Sequence, residues 1–153
     1  MHYLFPSALF ADKRAYEVST VLGSCIAVCL YDPVLKIGGI NHYMLPLWNG
    51  DGLPSPKYGN IAIEKLVDRM LKLGSNRKDL QAKVFGGWDK GSTANGGFNI
   101  GLRNSELAKD SLARLAIPIV KSNMGGEFGR KIKFYTHTGE VFMKFIQTDT
   151  SAI

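Results

Sequence analysis

Between residues 16 and 45 the rhythm of apolar and polar positions changes twice. The segment 16-YEVSTVL-22 alternates and is rich in β-formers, which predicts a strand ending at Gly23. After the turn 23-GSC-25, the run 26-IAVCLY-31 is continuously apolar, the pattern of a buried strand, and closes at the turn pair Asp32-Pro33. A further apolar stretch, 37-IGGINHYML-45, ends at Pro46. Three strands in succession predict a sheet core at the N-terminus.

The period then lengthens. Residues 46–60 are dense in Gly, Pro and Asn and read as a long loop, either a functional excursion or a plain surface one. From Asn60, Ile63, Leu66, Val67, Met70 and Leu71 recur at spacings of three and four, predicting an amphipathic helix with Asn60 as its N-cap and Gly74 as its stop. The segment 80–85 reads as a strand running into Gly86-Gly87. A second glycine-rich loop, 91–101, leads to a helix over 104–116, a strand over 117–123, and a hairpin over 131–145 turning at Thr138-Gly139. About seven strands and two helices in this order predict an α/β fold: a single-domain α/β sandwich with a mixed β-sheet core and two main helices.

Composition adds limits. A chain of 153 residues, 45% hydrophobic and 21% charged, with no linker, suits one domain over 1–153. No apolar run is long enough to span a bilayer, and the N-terminus lacks the basic and apolar regions of a secretory signal, so a cytoplasmic location without membrane insertion is expected. The two cysteines are then expected to be reduced. Residues 1–75 carry 7 Lys/Arg against 6 Asp/Glu, whereas residues 76–153 carry 12 against 7, a basic excess suited to an acidic partner surface. No basic run exceeds Arg130-Lys131 and no nucleic-acid-binding signature appears, so a nucleic-acid partner is not expected.

The candidate chemistry narrows by elimination. The loop 91-GSTANGG-97 lacks the order of a phosphate-binding loop, with Lys90 before the glycines. His2, His42 and His137 are scattered, without the spacing of a metal site. Gly23-Ser24-Cys25 offers only half of a serine-nucleophile elbow. In an extended strand Cys25 and Cys29 lie roughly 13 Å apart, too far for a disulfide. Cys29 reads as a small buried hydrophobe. Cys25 follows Gly23 and Ser24 at a chain reversal, where backbone N–H groups can face the sulfur, stabilise a thiolate and later an oxyanion. His42 returns beside it if the strands on either side are antiparallel neighbours. Two readings stand at this point: a Cys25–His42 catalytic pair, or a core cysteine with an unrelated histidine.

The run 22-LGSCIAVCLYDPVLKIGGINHYMLP-46 closely resembles the signature of the CheD family, chemoreceptor glutamine deamidases of bacterial and archaeal chemotaxis. The resemblance continues through 57–74, Gly86-Gly87, 98-FNIGLRN-104 and 125-GGEFGRKIKFYTHTGEV-141. It implies an α/β sandwich that hydrolyses the side-chain amide of receptor glutamines to glutamate and ammonia through a cysteine thioester, with no metal or cofactor. The nucleophile matches Cys25 and the general base His42. A third, hydroxyl-bearing residue matches Ser19 by spacing and Thr20 by residue type; neighbours in a strand face opposite ways, so only one of them points at the site. Gly23 and Ser24 become candidates for the oxyanion site. Substrate recognition falls to the 48-WNGDG-52 loop, with Trp48 as an exposed anchor, and to 125-GGEFGRK-131, with Phe128, Arg130 and Lys131; these residues equally suit packing and turning. The implied partners are chemoreceptor cytoplasmic domains and, for some members, the phosphatase CheC. A non-catalytic adaptor is the alternative, and a depressed Cys25 pKa is the feature expected of an activated nucleophile.

Overall fold

The computed structural model describes residues 1–48, 50, 52–89 and 99–146. Its strands are β1 (His2–Tyr3), β2 (Leu9–Asp12), β3 (Glu17–Leu22), β4 (Ile26–Asp32), β5 (Ile37–Asn41), β6 (Gln81–Gly86), β7 (Ile119–Met124), β8 (Gly129–Tyr135) and β9 (Val141–Ile146). The helices are α1 (Gly59–Lys72) and α2 (Ile100–Arg114), with a short 3-10 turn at Arg77–Asp79. The strands form two sheets, ordered β1-β3-β8-β9 and β2-β5-β4-β6-β7. Both are mixed, because β1 runs parallel to β3 and β6 parallel to β7.

Two apolar layers hold this α/β sandwich together. Alternate residues of β4 serve different layers, as the two faces of a strand require. Ile26, Val28 and Leu30 pack with Ala82 and Val84 of β6 against Ala62, Ile63, Leu66 and Met70 of α1 and Leu107, Ala108 and Leu112 of α2. Ala27 and Cys29 face the other way and pack with Val18 and Leu22 of β3 and Ile132 and Phe134 of β8. Burial on both faces explains the unbroken apolar run of β4. In β3, by contrast, Val18, Thr20 and Leu22 are buried whereas Val21 is 42% exposed.

The three strands expected to form one N-terminal sheet divide between two. β3 pairs antiparallel with β8, whereas β4 pairs with β5 and β6. The chain therefore crosses from one sheet to the other at Gly23–Cys25. β1 and β2, outside the sequence expectation, add an edge strand to each sheet. They contain only two and four residues, too few for a periodic pattern.

Both helices begin earlier than expected. Tyr58, not Asn60, occupies the N-cap of α1, and the Asn60 side chain instead accepts the Trp48 backbone N–H at 3.0 Å. Gly74, at φ +110°, follows the end of α1. α2 starts at Ile100, because Gly101 lies within the helix instead of the loop assigned to it. A side chain at Gly101 would collide with the carbonyls of Gly87 and Trp88, so its glycine permits a close approach. The rest of the glycine-rich segment, Lys90 to Phe98, lies outside the described residues. Among those described, no helix is long and apolar enough to cross a membrane.

Candidate active site

The crossing turn is held by its carbonyls. Gly23 O accepts the Trp88 N–H at 2.8 Å and Cys25 O accepts the Gly87 N–H at 2.9 Å. Between them, Ser24 O accepts from the Asn104 side-chain amide at 2.9 Å. In a trans peptide the N–H points opposite the C=O, so the Ser24 N–H points away from Trp88 and the Cys25 N–H away from the Asn104 amide. Gly86 must accompany this arrangement: at φ +112°, a side chain there would strike the Cys25 carbonyl. The Cys25 thiol is half-buried and Cys29 is buried; both are free.

His42 returns opposite this turn. Ile26 and Tyr43 exchange both backbone hydrogen bonds, at 3.1 and 2.9 Å, in antiparallel register. One step either way puts Ala27 opposite His42 and Cys25 opposite Met44. Cys25 and His42 are thus diagonal neighbours, a separation long side chains bridge. Cys25 faces the layer between the sheets with Ala27 and Cys29. His42 turns into the same layer, for its Nδ1 lies 2.7 Å from the Thr20 hydroxyl of the opposing sheet.

That contact fixes the tautomer. The Thr20 hydroxyl has one proton and donates it to the Leu4 carbonyl at 2.7 Å, since a carbonyl can only accept. Thr20 Oγ1 then accepts from His42 Nδ1–H, which leaves Nε2 as the unprotonated nitrogen. His42 Nε2 is buried and has no hydrogen-bond partner among the described residues. The imidazole backbone is fixed by the N-terminal segment: His42 N–H donates to Ala8 O at 3.1 Å, and Ser7 N–H donates to His42 O at 2.8 Å. Ser19 lies on the other face of β3, with Glu17 and Val21. Of the two hydroxyl candidates, Thr20 is the one that touches His42.

Burial sets the electrostatics. Desolvation lowers the His42 pKa to about 4, and also raises that of Cys25, against a smaller opposing effect of the residue's own backbone N–H. The depressed pKa that would mark an activated thiol is not what burial produces here: the turn contributes an N–H, but loss of water outweighs it. At neutral pH the resting site holds a thiol and a neutral imidazole. Cys29, buried among apolar groups, is raised further.

The expected recognition residues separate. Arg130 is 2% exposed, not an exposed surface group. Its guanidinium donates to Asn123 Oδ1 at 2.9 Å, Gly86 O at 3.0 Å and Gly125 O at 2.6 Å, and lies over the Phe145 ring. It thereby ties the loop before β8 to the end of β6. Trp48 is half-buried, and its loop neighbours Asn49 and Asp51 lie outside the described residues. Phe128 is 39% exposed and packs edge-on against Phe145. Lys131 is exposed on the outer face of β8, across from Lys144. Among the described residues no cluster of His, Cys, Asp or Glu is placed to hold a metal.

Sequence reasoning missed two contributors. Leu4 acts through its carbonyl, for which residue type carries no signal. Asn104 stood within the 98–104 motif, but its contacts depend on long-range packing.

The features together define a two-sheet α/β protein with a thiol and an imidazole where the chain passes between the sheets. The chain belongs to the CheD family: residues 44–145 match the family model described as CheD chemotactic sensory transduction. It is 48% identical over 146 residues to a probable chemoreceptor glutamine deamidase CheD of Sulfurimonas denitrificans, covering 95% of this chain and 94% of that protein. It is 49% identical to a protein of the same description from Trichlorobacter lovleyi, covering 93% and 88% respectively. Among solved structures, the Bacillus licheniformis hypothetical protein YfiH has a similar fold, with TM-score 0.50 at 16% identity, over 75% of this chain and 49% of that one.

Proposed function

We propose that this protein hydrolyses the side-chain amide of glutamines on the cytoplasmic helices of chemoreceptors, giving glutamate and ammonia through a thioester on Cys25. The observation that carries this reading is the Thr20–His42 hydrogen bond, which leaves Nε2 as a base on the same layer as Cys25. The names of the relatives, chemoreceptor glutamine deamidases, supply the substrate class.

A carboxamide is a weak electrophile with a poor leaving group, so the reaction needs a strong nucleophile, an oxyanion site and a proton for the amine. As Cys25 Sγ attacks the glutamine Cδ, its proton passes to His42 Nε2. The amide oxygen takes up the electron pair, with the Ser24 and Cys25 N–H groups as donors. The tetrahedral intermediate collapses by breaking the C–N bond, and imidazolium gives its proton to the departing nitrogen as ammonia forms. Water then gives a proton to Nε2 as it attacks the thioester, the C–S bond breaks to release the glutamate side chain, and the imidazolium returns its proton to Cys25 Sγ, restoring thiol and neutral imidazole. Thr20 Oγ1 holds Nδ1–H throughout, orienting the ring and accepting from the imidazolium when it forms. With a buried base of low pKa, the thiolate arises as attack proceeds.

Incubation with a receptor cytoplasmic fragment followed by peptide mass mapping tests this. Wild-type protein is expected to add one mass unit per modified glutamine and release ammonia, and Cys25→Ala to do neither. Cys29→Ala is expected to retain most activity. Unchanged deamidation by Cys25→Ala would remove the nucleophile assignment.

A second reading, docking to receptors or to a CheC-type phosphatase without catalysis, draws support from the raised thiol pKa. It predicts receptor binding by wild-type protein with no mass change.

A further inference from the structure

Cys25 and Met44 face one another just beyond the last backbone-paired residues of β4 and its neighbour, Ile26 and Tyr43. The side chain of Asn104, on α2, closes this open end. Its amide nitrogen donates one hydrogen to Ser24 O at 2.9 Å and the other to Met44 O at 3.0 Å. Two carbonyl partners can be served only by the nitrogen, so the amide orientation is determined. The Asn104 backbone carbonyl meanwhile accepts the Tyr43 hydroxyl at 2.6 Å.

The residue is fully buried, and its Oδ1 has no hydrogen-bond partner among the described residues. An unsatisfied buried acceptor is destabilising, and an apolar side chain of similar size would avoid it. Packing therefore does not account for an asparagine here. The two donated bonds do, for they join the residue before Cys25 to the segment after His42.

We propose that Asn104 is a positioning residue for the Cys25–His42 pair: its amide clasps the two strand ends and turns the Ser24–Cys25 peptide so that the Cys25 N–H faces the reacting side. The bonds act on the backbone at either side of the pair, whereas Thr20 holds the imidazole ring. Loss of the clasp lets the two ends separate, and a misplacement of about 1 Å can cost on the order of a hundredfold in rate. This inference rests on the assignment of Cys25 and His42 above.

The test uses the full chain with Cys29→Ala, so that Cys25 is the thiol followed. Asn104→Leu and Asn104→Asp, checked by circular dichroism to be folded, are compared with Ser111→Ala, a buried polar position of the same helix away from the turn. Both Asn104 variants are expected to lose about ten- to a hundredfold in kcat on a receptor fragment, with KM within about threefold. The pH profile of Cys25 alkylation is expected to move upward in both. Ser111→Ala should leave kcat and the profile in place whatever it does to stability. Tyr43→Phe, which removes only the hydroxyl on the Asn104 carbonyl, should give a smaller change of the same kind and decides the matter if neither Asn104 variant folds. Folded Asn104 variants with wild-type kcat and alkylation profile would overturn the proposal, as would a Tyr43→Phe variant unchanged in both when it alone is available. Activity in Cys25→Ala would instead remove the underlying assignment.

Discussion

Thr20 meets two partners with one proton, and that scarcity gives the residue its meaning. Because Leu4 O can only accept, the hydroxyl is committed as a donor, and His42 must present Nδ1–H to it. Removing the hydroxyl frees the ring to rotate or change tautomer. Thr20→Val, close in shape, is expected to lower kcat by about ten- to a hundredfold, whereas Thr20→Ser should stay within about threefold of wild type. Steady-state assays on a receptor fragment check both; equal activity of the valine variant would remove Thr20 from the site. The choice between Thr20 and Ser19 was legible in retrospect. In 17-EVSTVL-22 the period of two puts Thr20 with the apolar Val18 and Leu22 that face the layer between the sheets, and Ser19, itself buried, on the opposite face with Glu17 and Val21.

Among the elements, the loop before β8 and the end of β6 depend on one buried cation. Arg130 donates to the Gly86 and Gly125 carbonyls, and its hydrogen-bond acceptors among the described residues are neutral oxygens. Arg130→Ala leaves these carbonyls without that donor and is expected to cost about 2–4 kcal/mol of folding stability, measured by denaturant titration. Arg130→Lys should recover little, since an ammonium cannot span the same acceptors. Residue type alone suggested an exposed basic group, and only the turn of the chain shows otherwise. The same division runs through the fold. β4 and α1 were legible because burial on two faces or one imposes an unbroken run or a helical period. β1 and β2 were not, being short and held by pairing. The start of α2 was misread because Gly101 serves a close approach, which a sequence cannot distinguish from a loop. The splitting of β3 from β4 was hidden for a related reason: a strand's pattern reports which face is buried, not which strand lies beside it.

Over the whole molecule, the buried imidazole links stability to pH. His42 has a folded pKa of about 4 against an ordinary value near 6.5. Above pH 6.5 both states hold it neutral. Between 6.5 and 4 the unfolded chain binds a proton that the folded chain refuses, so stability falls as pH falls, by about 1.4 kcal/mol per unit from this group. Below 4 both states are protonated and this contribution stops changing. Denaturant midpoints measured from pH 7.5 to 4 should therefore decline more steeply for wild type than for His42→Gln. Parallel slopes would show that the histidine is not desolvated as placed.

The passage of the chain between sheets at Gly23–Cys25 has one more consequence. Thr20 rides on one sheet and His42 on the other, so the bond that orients the imidazole is also a gauge of how the two sheets sit against each other. A small slip between them, too slight to disturb either ladder of backbone hydrogen bonds, would lengthen that single contact first. Under the mechanism proposed above, catalytic competence is then a property of the sandwich as an assembled pair, lost by misalignment before any strand comes apart.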